Sequence, residues 1–291
     1  MHHWWQFISA WALDPLPCVA LVVLAACYLA GVRAVRHSAS SAPWPARNTW
    51  AFMGGIALLW LAILGPFGSY DDVFFWAHMT QHLLITMLAA PLLVLGSPML
   101  LALRASSPRV RRRWLVPAMR SSAARWLTDP IVTWLLFVIV LMGTHFSPFY
   151  EYSLDHPWFH ETVEHPLYLT VALLYYYPLL GSGHGPHPVP ESLKVLSLAS
   201  MMVPEAITGF FIYASPYVMY PFYAHVTRPF GPAALVDQQL GGSLMWSSGM
   251  LLDAAWLAVA ARQWLRADAR RTRRLDVTTA REVSRAQIRF L

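Results

Sequence analysis

Seven long apolar stretches, separated by short polar connections, constrain the fold of this chain more than any other feature of its sequence. A bilayer core is about 30 Å thick and takes roughly 20 apolar residues of helix to cross. None of the stretches alternates polar and apolar residues as a strand of a membrane barrel would. The sequence therefore predicts an all-α polytopic membrane protein, a bundle of seven transmembrane helices at approximately 15–33, 48–66, 73–95, 130–146, 158–180, 194–214 and 236–263.

The composition agrees with this prediction and excludes several other classes of protein. Hydrophobic residues make up 57% of the chain and charged residues only 12%, about half the charged share of a typical globular protein. So few charged side chains cannot cover a soluble surface, and a disordered chain would need many more. The chain is therefore predicted to be neither a soluble enzyme, nor disordered, nor a disulfide-stapled secreted module.

The basic residues predict the orientation of the bundle. Twenty of the 21 Lys and Arg residues fall in four regions that lie on one side of a seven-span chain: 33–47, 104–128, 181–194 and the segment from Arg262 onward. The other side holds only Arg228. Because basic residues are enriched in cytoplasmic connections, we expect the N-terminus outside and the C-terminus in the cytoplasm. This bias also explains the net charge of +6 without a nucleic-acid partner.

The chain is predicted to form one transmembrane domain over residues 1–265, followed by a basic cytoplasmic tail over 266–291. Residues 1–14 contain no Lys or Arg, whereas a signal peptide begins with a positively charged region. The first span is therefore predicted to be a retained helix.

Histidines are concentrated near the predicted outer face of the membrane. Five of the twelve are placed there, on three different spans: His78, His82, His145, His160 and His165. The spacing of four between His78 and His82 puts both on one face of a helix. One such histidine is more often a hydrogen-bonded packing residue. Five at one level favour a functional site, because ionisable groups within a membrane usually face the bundle interior.

The residue types at this level favour copper. Imidazole is the commonest metal ligand, and Met79 and Met245 add thioether sulfur near the histidines. Imidazole with thioether and without thiolate suits copper, as Cu(I), better than zinc or iron. Neighbouring polar side chains are predicted to orient the ligands from a second layer: Glu164, Asp237 and Gln238.

Other chemistries fit the same residues less well. In a zinc-protease helix the second residue of this histidine motif is a glutamate, and here it is Met79. A retinal protein needs a lysine in the seventh span, whereas the only lysine, Lys194, begins the sixth. Paired histidines on facing helices leave a haem site as an open alternative. The roles of Glu205, deep in the sixth span, and of His184 and His187, in a Gly/Pro-rich connection, also stay open.

Five motifs carry a resemblance to a known family. They are HMTQH at 78–82, GSP at 96–98, HFSPFY at 145–150, HETVEHPL at 160–167 and DQQLGGSLMW at 237–246. In this combination the sequence resembles the multi-spanning CtaG family of assembly factors for caa-type cytochrome c oxidase, over roughly residues 15–265. One departure is Ala90-Pro91, where relatives are expected to have two prolines.

The resemblance implies a protein of the bacterial plasma membrane that helps to build a haem-copper oxidase, with copper handling as its task. The expected mechanism is capture of copper on the outer side by the five histidines and transfer to an oxidase subunit, with Met79 or Met245 as an exchangeable ligand. No chemical turnover is needed, so we expect no enzyme activity. Two alternatives stay open: an intramembrane zinc-dependent hydrolase with Glu161 or Glu164 as base, and a metal-free scaffold for oxidase subunits.

Overall fold

The computed structural model describes residues 3–37, 42–181 and 189–289. Every regular element in these ranges is a helix, which confirms the all-helical class. The long helices are α1 (Pro15–His37), α2 (Ala46–Ile63), α3 (75–95), α4 (Pro130–His145), α5 (157–180), α6 (Glu191–Ala214) and α7 (Ala234–Arg289). Shorter helices lie in the connections: His3–Ser9, Pro98–Ala105, Pro108–Val110, Arg111–Leu115, Val116–Arg120, Ser122–Leu127, Phe149–Asp155 and Pro221–His225.

Four described helices are long and apolar enough to cross a membrane: α1, Phe75–Ala105 (α3 with the short helix that continues it), α6 and the Ala234–Arg266 part of α7. A fifth is added if α4 and Phe149–Asp155, which are bent by 61°, form one span. α2 and α5 lie at the other two predicted spans, but α2 is less apolar than the four helices above and the regular part of α5 is shorter. α2 begins with the polar residues Arg47, Asn48 and Thr49, and the regular part of α5, His165–Leu180, has 16 residues. Seven spans therefore stay a prediction.

Large apolar side chains cover the outward faces of several of these helices. On α1, Val19 is 60% exposed and both Val22 and Val23 are 53% exposed. On α4, Ile131 and Ile139 are each 65% exposed. Soluble monomers rarely expose contiguous apolar patches of this kind. The surface is typical of a protein surrounded by lipid.

Three prolines account for the π-helical turns in the described part of the chain. A proline within a helix has no N–H, and its ring clashes with the carbonyl four residues earlier. In each case the residue before the proline donates its N–H to the carbonyl five residues earlier: Ala90 to Ile85 before Pro91, Val116 to Arg111 before Pro117, and His165 to His160 before Pro166. The third turn, His160–Glu164, falls within a predicted site motif. π turns are frequent at functional sites.

The carbonyl of Met87, four residues before Pro91, accepts a hydrogen bond from another helix. Pro91 has no N–H to offer Met87 O, four residues earlier, and the indole Nε1–H of Trp256 on α7 donates to that oxygen at 2.6 Å. Trp256 is buried. This contact satisfies a polar group that lipid would leave unpaired and ties α7 to the middle of α3.

We expect Trp256→Phe to lower the free energy of unfolding by roughly 1–3 kcal/mol, because it removes the indole donor from the buried Met87 carbonyl. Thermal unfolding in mild detergent measures the effect. Trp264→Phe, on the same helix at a residue 41% exposed, is the matched control. Equal melting temperatures for the two variants would contradict this role of Trp256.

α3 is the central helix of the bundle. It packs against α2, α5 and α7, while α6 and α7 form the most extensive helix pair. On the α1–α2 side, the Tyr28 and Phe52 rings stack at 3.8 Å and the Tyr28 hydroxyl donates to Gly96 O at 2.8 Å. Polar side chains on α3 are therefore enclosed by neighbouring helices, and this enclosure creates the site described next.

Candidate metal centre

His78 and His82 lie on one buried face of α3. Their ring centroids are 4.1 Å apart, as the spacing of four predicts. His78 is fully enclosed and His82 is 8% exposed. Tyrosine rings flank the pair, with Tyr150 4.3 Å from His78 and Tyr168 4.0 Å from His82. The two imidazoles are thus removed from water and held by aromatic neighbours.

Glu164, from the π turn of α5, completes a cluster with these two histidines. Its Oε1 lies 3.7 Å from both His78 Nε2 and His82 Nε2. These three atoms are buried, and none has a hydrogen-bond partner among the described residues. They lie within 4.8 Å of one another. Ligands bound at about 2.1 Å to a tetrahedral ion lie roughly 3.4 Å apart, so the spacing fits a bound metal ion.

The other oxygen of Glu164 is held by hydrogen bonds. Oε2 accepts from the Ser153 hydroxyl and from His160 Nδ1, the latter at 2.7 Å. The opposite nitrogen of that ring, Nε2, lies 3.1 Å from Asp71 Oδ2. His160 therefore bridges two carboxylates, and it fixes the rotamer that turns Oε1 of Glu164 toward the histidine pair.

A second cluster lies on the far side of His160. Asp71, His160 and His165 also place one ligand atom each within 4.8 Å of the others. His165 Nε2 is 3.8 Å from Asp71 Oδ2 and 3.0 Å from Gln81 Oε1. The single histidine layer predicted from the sequence is therefore divided into two adjoining clusters in the structure.

His145 lies beside the first cluster without joining it. Its ring centroid is 5.7 Å from that of His82, and its Nδ1 contacts Leu141 O at 2.7 Å. Met79 and Met245 line the same cavity of about 40 Å³ as His82 and His145. The two methionines predicted as ligands thus share a cavity with two of the predicted histidines.

Asp237 and Gln238 are engaged elsewhere. The Asp237 carboxylate accepts hydrogen bonds from the N–H groups of Phe75 at 2.9 Å and Trp76 at 3.1 Å, and it pairs with Arg228. Asp237 therefore caps the start of α3. Gln238 accepts from Met219 N–H at 2.6 Å and so anchors the loop before α7. The structure does not bring these two predicted orienting residues to the imidazoles. Ser153 and His160 hydrogen-bond to Glu164 instead, and Gln81 hydrogen-bonds to His165.

Asp71 and Ser153 were not predicted from the sequence, although both lie in connections on the histidine side. Tyrosines brace this region: the Tyr150 and Tyr223 hydroxyls are 2.6 Å apart, and Tyr223 donates to Asp71 O. Burial raises the pKa of the Tyr223 phenol, in the connection before α7, well above its ordinary value. The phenol is therefore a neutral donor that holds the Asp71 backbone at the cluster.

Glu205 of α6 lines the same cavity as His82. Glu205 is a member of neither cluster. His184 and His187 lie outside the described residues.

Comparisons with known proteins agree with the resemblance of the motifs. The family of the cytochrome c oxidase caa3 assembly factor (Caa3_CtaG) matches residues 26–267. The uncharacterized proteins Mb0105 of Mycobacterium bovis and MT0111 of Mycobacterium tuberculosis are each 31% identical over 278 residues. The uncharacterized protein ML1998 of Mycobacterium leprae is 28% identical over 272 residues.

These alignments cover 91–93% of this chain but only 41–42% of the relatives, so the chain spans less than half the length of the curated proteins it matches. No solved structure matches the chain. The family match includes both histidine clusters and every long helix except the first part of α1 and the end of α7. The chain therefore belongs to the cytochrome c oxidase caa3 assembly factor family.

Proposed function

We propose that this protein binds copper in the membrane, at His78, His82 and Glu164, and passes it to a subunit of a haem-copper oxidase. In this proposal the chain lies in the bacterial plasma membrane as a seven-span bundle. Its N-terminus and histidine clusters are on the outer side, and its basic tail is in the cytoplasm. The distribution of Lys and Arg supports the orientation. The family to which the chain belongs supports the oxidase as partner.

One observation carries the copper proposal: three buried ligand atoms converge without hydrogen-bond partners. His78 Nε2, His82 Nε2 and Glu164 Oε1 have no hydrogen-bond partner among the described residues, although each is enclosed. An unsatisfied buried polar atom is costly, by about 1–3 kcal/mol each. A cation between the three atoms removes that cost, and the carboxylate balances part of its charge.

Copper is preferred because of what surrounds these ligands. The cavity beside His82 is lined by the thioethers of Met79, Met87 and Met245. Thioethers select copper over zinc and bind weakly enough to release a cargo. In the proposed transfer, His78 and His82 hold the ion and His160 keeps Glu164 turned toward it. The protein then needs no reaction step of its own.

Two histidines with one glutamate also form a ligand set used by catalytic zinc sites, so the zinc hydrolase remains the main competing function. The two proposals differ in which metal is bound. The full chain is to be purified in mild detergent, and its copper and zinc contents measured after anaerobic loading with each metal in competition with a chelator. We expect copper to be retained over zinc. Retention of zinc alone, or of no metal at any loading, would refute the copper proposal.

A further inference from the structure

A cleft opens on the second cluster. Its volume is about 380 Å³, and the side chains of Asp71, His160 and His165 contribute to its polar wall. The rest of the lining is mainly apolar and comes from α1, α2, α3 and α5, including Leu21, Ile63 and Leu169. The first cluster, in contrast, lines the smaller cavity through His82, and none of its three residues lines the cleft. The second cluster is therefore the one that an ion from the cleft meets first.

The charges of the cleft favour a cation. Asp14 and Glu161 join Asp71 in the lining, and the lining residues include no Lys or Arg. Arg228, the basic residue on this side of the predicted bundle, is paired with Asp237. Carboxylates on low-dielectric walls concentrate the field and raise the local concentration of cations.

The two clusters are linked directly. His160 contributes Nε2 to the second cluster, 3.1 Å from Asp71 Oδ2, and its Nδ1 lies 2.7 Å from Glu164 of the first. The ring centroids of His160 and His78 are 5.7 Å apart. An ion at the second cluster is thus one imidazole away from the first.

We propose that Asp71, His160 and His165 form a second metal site, at which copper from the outer side binds before it moves to His78, His82 and Glu164. This inference rests on the proposed function, because it supplies the route by which the cargo reaches the buried site. Binding replaces the proton between His160 Nε2 and Asp71 Oδ2 and the proton that His165 Nε2 donates to Gln81 Oε1, and both protons are released to water. In this proposal the acidic cleft sets the rate at which copper loads, and the cluster of His78, His82 and Glu164 sets how strongly it is retained.

The test is a copper titration of the full chain in detergent, with chelator competition for stoichiometry and stopped-flow mixing for the loading rate. Wild type is expected to bind two ions. The variant D71N/H165Q is expected to keep the buried ion, lose the other and load ~10-fold more slowly. The variant H78Q/H82Q is expected to lose the buried ion and keep the one at the cleft. Two ions in D71N/H165Q would overturn the second site.

A milder substitution keeps the inference testable if D71N/H165Q does not fold. Glu161→Gln removes a charge from an exposed residue of the cleft that is not among the proposed ligands. We expect slower loading at low ionic strength with unchanged stoichiometry. Asp155→Asn, at an exposed carboxylate that is not among the cleft-lining residues, is the control. Equal rates for the two variants would overturn the loading role. Failure of the proposed function gives a different result from failure of the second site. In that case wild type binds no copper, or H78Q/H82Q binds as much copper as wild type.

Discussion

Simultaneous replacement of His78 and His82 by glutamine is expected to abolish retention of the buried copper ion. Both imidazoles are enclosed, and their Nε2 atoms point with Glu164 Oε1 at one position. Loss of a residue that merely orients a ligand lowers metal affinity by about 10- to 100-fold, and removal of two ligands is expected to exceed that. Copper content and chelator competition measure the loss in vitro. In cells, the activity and copper content of the cognate oxidase are expected to fall with it.

The control for this experiment is His156→Gln. His156 lies in the connection before α5, stacks on Tyr152 at 4.1 Å and belongs to neither cluster. It is expected to leave copper binding and oxidase assembly unchanged. Circular dichroism and melting of H78Q/H82Q separate loss of metal from loss of fold. If a folded H78Q/H82Q protein still supports an active oxidase, the first cluster is not the copper site and the metal-free scaffold becomes the better explanation.

Gly242→Ala is expected to destabilise the packing of α6 against α7 strongly. α6 and α7 approach so closely that a Cβ on Gly242 would lie 2.6 Å from Tyr213 N and 2.9 Å from Gly209 O. These are backbone atoms, so neither can move aside by a change of rotamer. Overpacking a close contact costs roughly 1–3 kcal/mol and more where backbones must separate. Small residues at such contacts are the usual means of close helix packing in membranes.

Gly143→Ala is the matched control, because a Cβ at this position of α4 would meet no atom of the described residues within 4 Å. At an open helical position, alanine is favoured over glycine by roughly 0.5–1 kcal/mol. The two variants are therefore expected to shift the melting temperature in opposite directions, with a large loss for Gly242→Ala. A neutral Gly242→Ala would mean that α6 and α7 do not pack as closely as described.

Much of the fold follows from local sequence, because hydropathy and helical spacing act over short distances. The long apolar stretches coincide with α1–α7, and the prolines at 91, 117 and 166 account for the π turns. The pairing of His78 with His82 follows from a spacing of four. The motifs of the third and seventh spans identified the family, which the comparison confirms.

α7 extends well beyond its apolar part. The sequence predicts a basic cytoplasmic tail over 266–291, and in the structure α7 continues through this segment as a helix to Arg289. Charge and hydropathy indicate where apolar character ends, but a helix ends only where its backbone hydrogen bonds do. The tail can therefore be basic and helical at once.

The sequence alone predicts the depth of the site in the membrane, because five histidines on three helices lie near one predicted face with carboxylates close by. Which side-chain atoms come into contact depends on the tertiary structure. In the structure the histidines form two clusters, and Asp71, from a connection, lies beside His160. Glu164 is turned toward His78 and His82, and Asp237 accepts hydrogen bonds at the start of α3. The reason is physical. Spacing along a helix fixes which residues share a face, whereas the rotation of each helix and the path of each connection depend on packing against neighbours far away in the chain.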